Sequence, residues 1–187
     1  MQTFIEISEG ALRHNFAALQ SHVQTPIIAV VKANAYGCGA IRCAQIFAES
    51  GAQMLAVTRV EEAIPLRENG VSAPILLLAP ALDDEYETAI SHDLTLSISS
   101  FEEAQKLSAM AGALQKTAKF HVKINTGMHR FGAHPSKTVE IVGRSRKLMG
   151  VEVGGVFSHL HSATDADETP SQTQLETFND AIYGLQN

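Results

Sequence analysis

Six short apolar runs recur along the chain, at Ile27–Val31, Met54–Val57, Pro74–Leu78, Leu94–Ile98, Ala118–Ile124 and Val151–Phe157, and a helical stretch separates each from the next. The first of them, Ile27–Val31, leaves no polar face and reads as a strand covered on both sides. Strands that alternate with helices build a parallel α/β architecture, either a doubly wound sheet or a (β/α)8 barrel. From Ile27 to Leu185 the six units average roughly 26 residues, and a barrel of about 250 residues needs two more. Local signals punctuate the pattern. Ser8 is a predicted N-cap for a helix with Leu12, Phe16, Leu19 and Val23 on one face, and Ser100/Glu103 and Thr169/Gln172 fit capping boxes. Pro135 and Pro170 fit first-turn positions, and Leu175, Phe178, Ile182 and Leu185 predict a final helix.

With 45% hydrophobic residues in 187, the chain can bury a substantial core. The formal charge of −6 comes from 20 acidic against 14 basic residues. No basic cluster follows that would track a phosphate backbone, so no nucleic-acid partner is expected. No apolar run approaches the ~20 residues of a membrane span, and no basic segment with a long apolar sequel opens the chain. A cytoplasmic protein without a membrane partner is the expectation. Cys38 and Cys43 are the two cysteines, and their spacing is no zinc signature, so both are expected as free thiols.

The first apolar run leads directly into Lys32, within IIAVVKANAYG. An ammonium at the mouth of an apolar cavity loses solvation, and the neutral amine becomes available to attack a carbonyl. A strand-end lysine that simply reaches water is the plain alternative, and Lys32 alone favours it. Its neighbours change the weighting. The run VVKANAYG-x-G resembles the cofactor-lysine motif of alanine racemases, pyridoxal-phosphate enzymes with a barrel N-terminal domain and a β-rich C-terminal domain. The resemblance makes Lys32 the Schiff-base lysine and puts Tyr36 near the cofactor phosphate. Cys38 departs from it, since many relatives carry histidine there.

Two further stretches extend the resemblance. Phe120, Val122 and Ile124 alternate with His121, Lys123 and Asn125, and polar side chains near the end of a barrel strand face the site. KINTGMHRFG, from Lys123 to Gly132, resembles the racemase segment KxDTGMxRxG, with Asn125 in place of aspartate. By that match Arg130 hydrogen-bonds the cofactor's phenolic oxygen, and Lys123 is either the carbamylated lysine of some relatives or an unmodified interior lysine. FSHLHSATDAD, from Phe157 to Asp167, resembles FTHFAxAD more loosely, and makes His159 the residue that packs against the cofactor ring. A rival reading takes His159, His161 and Asp165 as metal ligands of a barrel hydrolase. The remaining histidines form no cluster.

The resemblance implies a partial (β/α)8 TIM barrel with about six of eight units. It divides the chain into an N-terminal strand and helix over 1–26 and an incomplete barrel over 27–187, with the C-terminal β-domain absent. The strand, at Thr3–Ile7, would pair with that absent domain. The implied activity is interconversion of L- and D-alanine, supplying D-alanine for peptidoglycan, with Lys32 moving the α-proton on one face of the substrate. The group for the opposite face would be a tyrosine of the partner subunit's C-terminal domain; without it, Tyr86 or Tyr183 would have to serve. No metal is expected. The full-length form would be a homodimer, and this chain, with open edges at its first and sixth strands, would self-associate. A non-racemase pyridoxal-phosphate-binding barrel protein and a non-catalytic scaffold are the other classes left open.

Overall fold

The computed structural model describes residues 4–185, and the chain divides into two compact units, Met1–Leu78 and Ala79–Asn187. The first contains α1 (Glu9–Val23), β1 (Ile28–Val30), the short helical segment α2 (Lys32–Tyr36), α3 (Ala40–Glu49), β2 (Met54–Val57), α4 (Val60–Glu68) and β3 (Ile75–Leu77). β1, β2 and β3 pair in parallel, with Ile28 beside Met54 and Leu55 beside Ile75. Leu55 to Val57 and Ile75 to Leu77 are buried on both faces, which explains why their sequence shows no alternation. α3 covers them with Ala44 and Ile46, and α4 with Ala63 and Leu66.

Ser8 caps α1 as expected, its Oγ accepting from the Ala11 N–H at 3.2 Å. Of the predicted apolar stripe on α1, Phe16 is buried, with its ring centre 6.0 Å from that of Phe47 on α3; Leu19 and Val23 are exposed. Ion pairs Arg13–Glu49 and Arg42–Glu9 complete the α1–α3 contact at its solvent edge. The predicted opening strand is not formed over residues 4–7, and Thr3 lies outside the described residues. A strand exists through its ladder partner, and none of the described strands pairs with this segment. Phe4 and Ile5 are exposed.

The second unit runs through a 3-10 turn (Asp83–Glu85), α5 (Tyr86–Ser91), β4 (Leu94–Ile98), α6 (Phe101–Leu114), β5 (Ala118–Lys123), a 3-10 turn (Pro135–Lys137), α7 (Thr138–Ser145), β6 (Val151–Phe157) and α8 (Thr169–Tyr183). β4, β5 and β6 are parallel. Between β5 and β6 the register slips: Phe120 lies beside Val153 but His121 beside Gly155, so Gly154 is an extra residue. The His121 ring occupies the space this leaves. A Cβ on Gly154 would stand 2.9 Å from His121 Nε2, so a side chain there would have to displace the ring. Burial lowers the His121 pKa, which favours the neutral imidazole.

Helix starts follow the sequence at Ser100, whose Oγ accepts from Glu103 N–H while Glu103 accepts from Ser99 and Ser100 N–H at 2.7 and 2.8 Å. The Thr169/Gln172 box does not form. Thr169 is already inside α8, its N–H donating to Asp167 Oδ1 at 3.0 Å, and Gln172 reaches forward to Glu176. The buried stripe of α8 also differs from the predicted one, since Gln174 and Ala181 are buried and Leu175 is exposed.

Tyr86 opens α5 with its side chain buried, and burial, with the charges of Glu103 and Asp83, pushes its phenol up to about 12. A raised folded pKa favours the protonated form, so this contribution is complete below the unfolded value of 10 and is lost as pH rises toward 12. Urea unfolding of wild type and Tyr86→Phe between pH 8 and 11.5 checks it. Wild type is expected to lose up to about 2 kcal/mol more than the variant over that range.

Candidate active site

Val31 ends the first strand with its N–H on Ala56 O at 2.8 Å, and half-buried Lys32 follows at the C-terminal end of β1. A left-handed helical turn comes next: Ala33, Asn34, Ala35 and Tyr36 have φ of 49°, 55°, 51° and 54°. Left-handed backbone costs roughly 1–2 kcal/mol for each residue with a Cβ, so the surroundings must over-determine it. Backbone bonds run from Ala35 N–H to Val31 O at 2.9 Å and from Gly39 N–H to Asn34 O at 3.0 Å. Asn34 Oδ1 accepts from Ala40 N–H at 2.8 Å, joining the turn to the start of α3. Gly37, with φ of 92°, ends the turn where left-handed backbone is free of cost.

Glu62 anchors the turn from the other side. It occupies the third position of α4, where one carboxylate oxygen accepts from Thr58 and Arg59 N–H at 2.7 and 3.1 Å. The other oxygen accepts from Ala33 N–H at 2.7 Å. Burial raises its pKa, but the bonds from Ala33, Thr58 and Arg59 and the charge of Lys32 outweigh that and hold it below the usual carboxylate range. Lys32, Ala33 and Glu62 are thus brought together. Tyr36 is 68% exposed. Cys38 and Cys43 are free; burial, with the charge of Cys38, raises the Cys43 pKa.

In the second unit Lys123 sits at the end of β5, 5% exposed, with its Nζ 5.2 Å from the Phe157 ring centre and 5.5 Å from that of Phe131. The exposed Arg130 guanidinium lies 5.8 Å from the Phe131 ring, so the two cations share one aromatic side chain. The loop between Asn125 and Gly132 closes on β5, with Asn125 N–H on Ala133 O and Ala133 N–H on Lys123 O. Gly132 permits this closure, since a Cβ there would lie 2.7 Å from Asn125 N. Asn125 Oδ1 accepts from Gly127 and His129 N–H at 3.2 and 2.9 Å, a task an amide oxygen performs as well as the expected aspartate.

His159 is exposed on the loop after β6. Gln174 ties that loop to the Asn125–Gly132 loop, with Nε2 donating to Thr126 Oγ1 at 3.0 Å and to His159 O at 2.9 Å. Thr126 Oγ1 lies 2.7 Å from Ser158 Oγ. The sequence analysis missed Glu62, Thr126, Ser158 and Gln174. A glutamate three residues after the helix-flanking Arg59 was the available signal for Glu62, obscured because arginine is no ordinary cap. Among the described residues no three His, Cys, Asp or Glu side chains gather as a metal set, so His159, His161 and Asp165 do not form the alternative centre. Tyr86, buried and with its phenol held near 12, is a poor second proton group at neutral pH. Among the described residues no helix is long and apolar enough to cross a membrane.

Comparison with known proteins gives these positions their context. The model of the family described as alanine racemase, N-terminal domain, matches residues 7–187. The chain belongs to that family. An alanine racemase of Helicobacter pylori strain G27 is 42% identical over 95% of this chain and 48% of its own length. Alanine racemase 2 of Oceanobacillus iheyensis is 37% identical over 98% of this chain and 47% of its own. Among solved structures, the alanine racemase of Clostridium difficile 630 superposes with a TM-score of 0.89 at 32% identity, covering 94% of this chain and 49% of that one. The chain therefore spans about half the length of the alanine racemases it matches. Its six βα units are those of a partial (β/α) barrel, as the family's N-terminal domain requires.

The turn makes a specific forecast. Ala33 is exposed, so Ala33→Gly removes the left-handed penalty without opening a cavity and is expected to stabilise the chain by roughly 0.5–1 kcal/mol, against the usual sign for alanine to glycine. Glu62→Gln is expected to destabilise it by about 1–3 kcal/mol, by replacing charge-assisted bonds. The Glu62 contribution is complete above the ordinary carboxyl value of 4.5 and is lost as pH falls through the lower folded value. Denaturant midpoints of both variants at pH 7 and pH 3.5 test this, and a destabilising Ala33→Gly contradicts it.

Proposed function

We propose that this chain is the cofactor-lysine half of an alanine racemase, acting on alanine with pyridoxal phosphate as cofactor. The observation that carries the reading is the strain directly after Lys32, since costly backbone is retained where a reacting group must be held. The donor set fits the cofactor's chemistry: the Lys32 amine for its aldehyde, Arg130 for its phenolic oxygen, His159 for its ring and Tyr36 for its phosphate. When bound, the cofactor supplies the electron sink that makes the substrate's α-proton removable. Lys32 would hold it through its amine and would carry the α-proton on one face of the substrate. The two ring faces beside Lys123 support an unmodified ammonium there over a carbamate, whose charge they would repel. The opposite face needs a tyrosine that the full-length homodimer would supply.

Exposure to pyridoxal phosphate, borohydride reduction and peptide mapping are expected to label Lys32, and Lys32→Ala to abolish the label while Lys123→Ala weakens it. Label spread evenly over surface lysines contradicts the reading. With one placed acid or base missing, turnover of alanine by this chain alone is expected ~10²–10⁴-fold below that of a full-length relative. A coupled D-amino-acid oxidase assay measures it.

The edges bear on assembly. Among the described residues β1 pairs with β2 alone, with Ile28 and Val30 each 37% exposed, and β6 pairs with β5 alone. Such edges template pairing with another chain. Light scattering is expected to find the 187-residue chain self-associated, and a monodisperse monomer of high thermal stability is the opposing result.

A further inference from the structure

Gln174 is an amide where an amphipathic helix would carry an apolar residue, 2% exposed and fully engaged. Its Oε1 accepts from His161 N–H at 2.9 Å, which fixes which side of the amide is oxygen. The NH2 group then spends both protons, one on His159 O and one on Thr126 Oγ1. Because Thr126 Oγ1 accepts there, its own proton goes to Ser158 Oγ, and Ser158 donates onward to Ile124 O at 2.8 Å. Every bond in this chain has one allowed direction. It starts on α8, crosses the loop that bears Arg130, enters the loop that bears His159 and ends on the main chain at the end of β5. Gly127 packs against the same side chain, and a Cβ there would meet Gln174 Cγ at 3.3 Å.

We infer that Gln174 is a positioning residue that fixes the Arg130 and His159 loops relative to each other, and that it must be an amide because only an amide donates twice and accepts once at this point. The consequence for the cofactor rests on the proposed roles of Arg130 and His159. The consequence for the loops does not. A carboxylate of the same size would lose both donations: it would repel His159 O, and it could hold Thr126 Oγ1 only by drawing that hydroxyl's proton away from Ser158. Protonated, it could restore one of them. Gln174→Glu is therefore acid-rescued, whereas Gln174→Met, which keeps the volume, is not.

The test is hydrogen exchange over residues 125–132 and 158–165 in the full chain, for wild type, Gln174→Met, Gln174→Glu and Thr126→Val, with affinity for pyridoxal phosphate read by absorbance in parallel. Thr126→Val cuts the same hydrogen-bond chain at its second member and serves if a Gln174 variant fails to fold. The expected result is at least tenfold faster exchange in both loops with α6 and β4 unchanged, and roughly tenfold weaker cofactor binding. Partial recovery of both is expected for Gln174→Glu alone between pH 7 and 5, after correction for intrinsic exchange. Unchanged loops, acceleration spread evenly through the unit, or absence of acid rescue in Gln174→Glu would overturn the inference. A wild type that binds no cofactor overturns the Lys32 reading, and the exchange results still decide the role of Gln174.

Discussion

The Glu62 carboxylate receives backbone N–H bonds from Thr58, Arg59 and Ala33, and the geometry around Lys32 depends on the last of these. Four consecutive left-handed residues would together cost several kcal/mol in an isolated peptide. They persist because Glu62 and the Asn34 side chain hold the turn to α4 and α3, two helices anchored by buried Ala63 and Leu66 and by buried Ala44 and Ile46. The order of dependence runs from core to site. Burial of Ala63 and Leu66 fixes α4, α4 fixes Glu62, Glu62 fixes the Ala33 amide, and Lys32 is left at the end of β1 with its backbone committed.

The second unit solves the equivalent problem without charge. Its loops after β5 and β6 are held by hydroxyls and one amide, each donor matched to one acceptor, beneath a buried lysine that faces two aromatic rings. Buried polar networks of this kind are stable only when complete. The two devices differ in what they tolerate. Glu62 loses its hold in acid, whereas the Gln174 network contains no group that titrates.

The strands were legible as apolar runs: Met54–Val57, Leu94–Ile98 and Val151–Phe157 stand where the pattern puts them, the first two buried on both faces and the third only partly covered. Lys32 and Lys123 fall at strand ends, where the apolar runs put them. What the pattern hid was polar. Gln174 occupies a core position because three hydrogen bonds offset the burial of its amide, so a stripe drawn through Leu175 pointed to the wrong face. The handedness of the turn was hidden as well. Ala33 and Ala35 are ordinary helix formers, and nothing in their local preference signals positive φ. Only the tertiary bond from Glu62 does, and it spans 29 positions. The strand expected at Thr3–Ile7 finds no ladder partner for residues 4–7 among the described residues, and alternation alone is insufficient.

The claim that a left-handed turn anchored by Glu62 sets Lys32 in place is tested most directly on the backbone itself. Three-bond HN–Hα couplings with cross-correlated relaxation report the sign of φ at residues 33–36, and exchange of the Ala33 amide reports its bond. Positive φ at all four positions, with a protected Ala33 amide that loses protection in Glu62→Ala, is the expected result. Negative φ through the segment, or an Ala33 amide that exchanges as an exposed one in the wild type, would contradict the account.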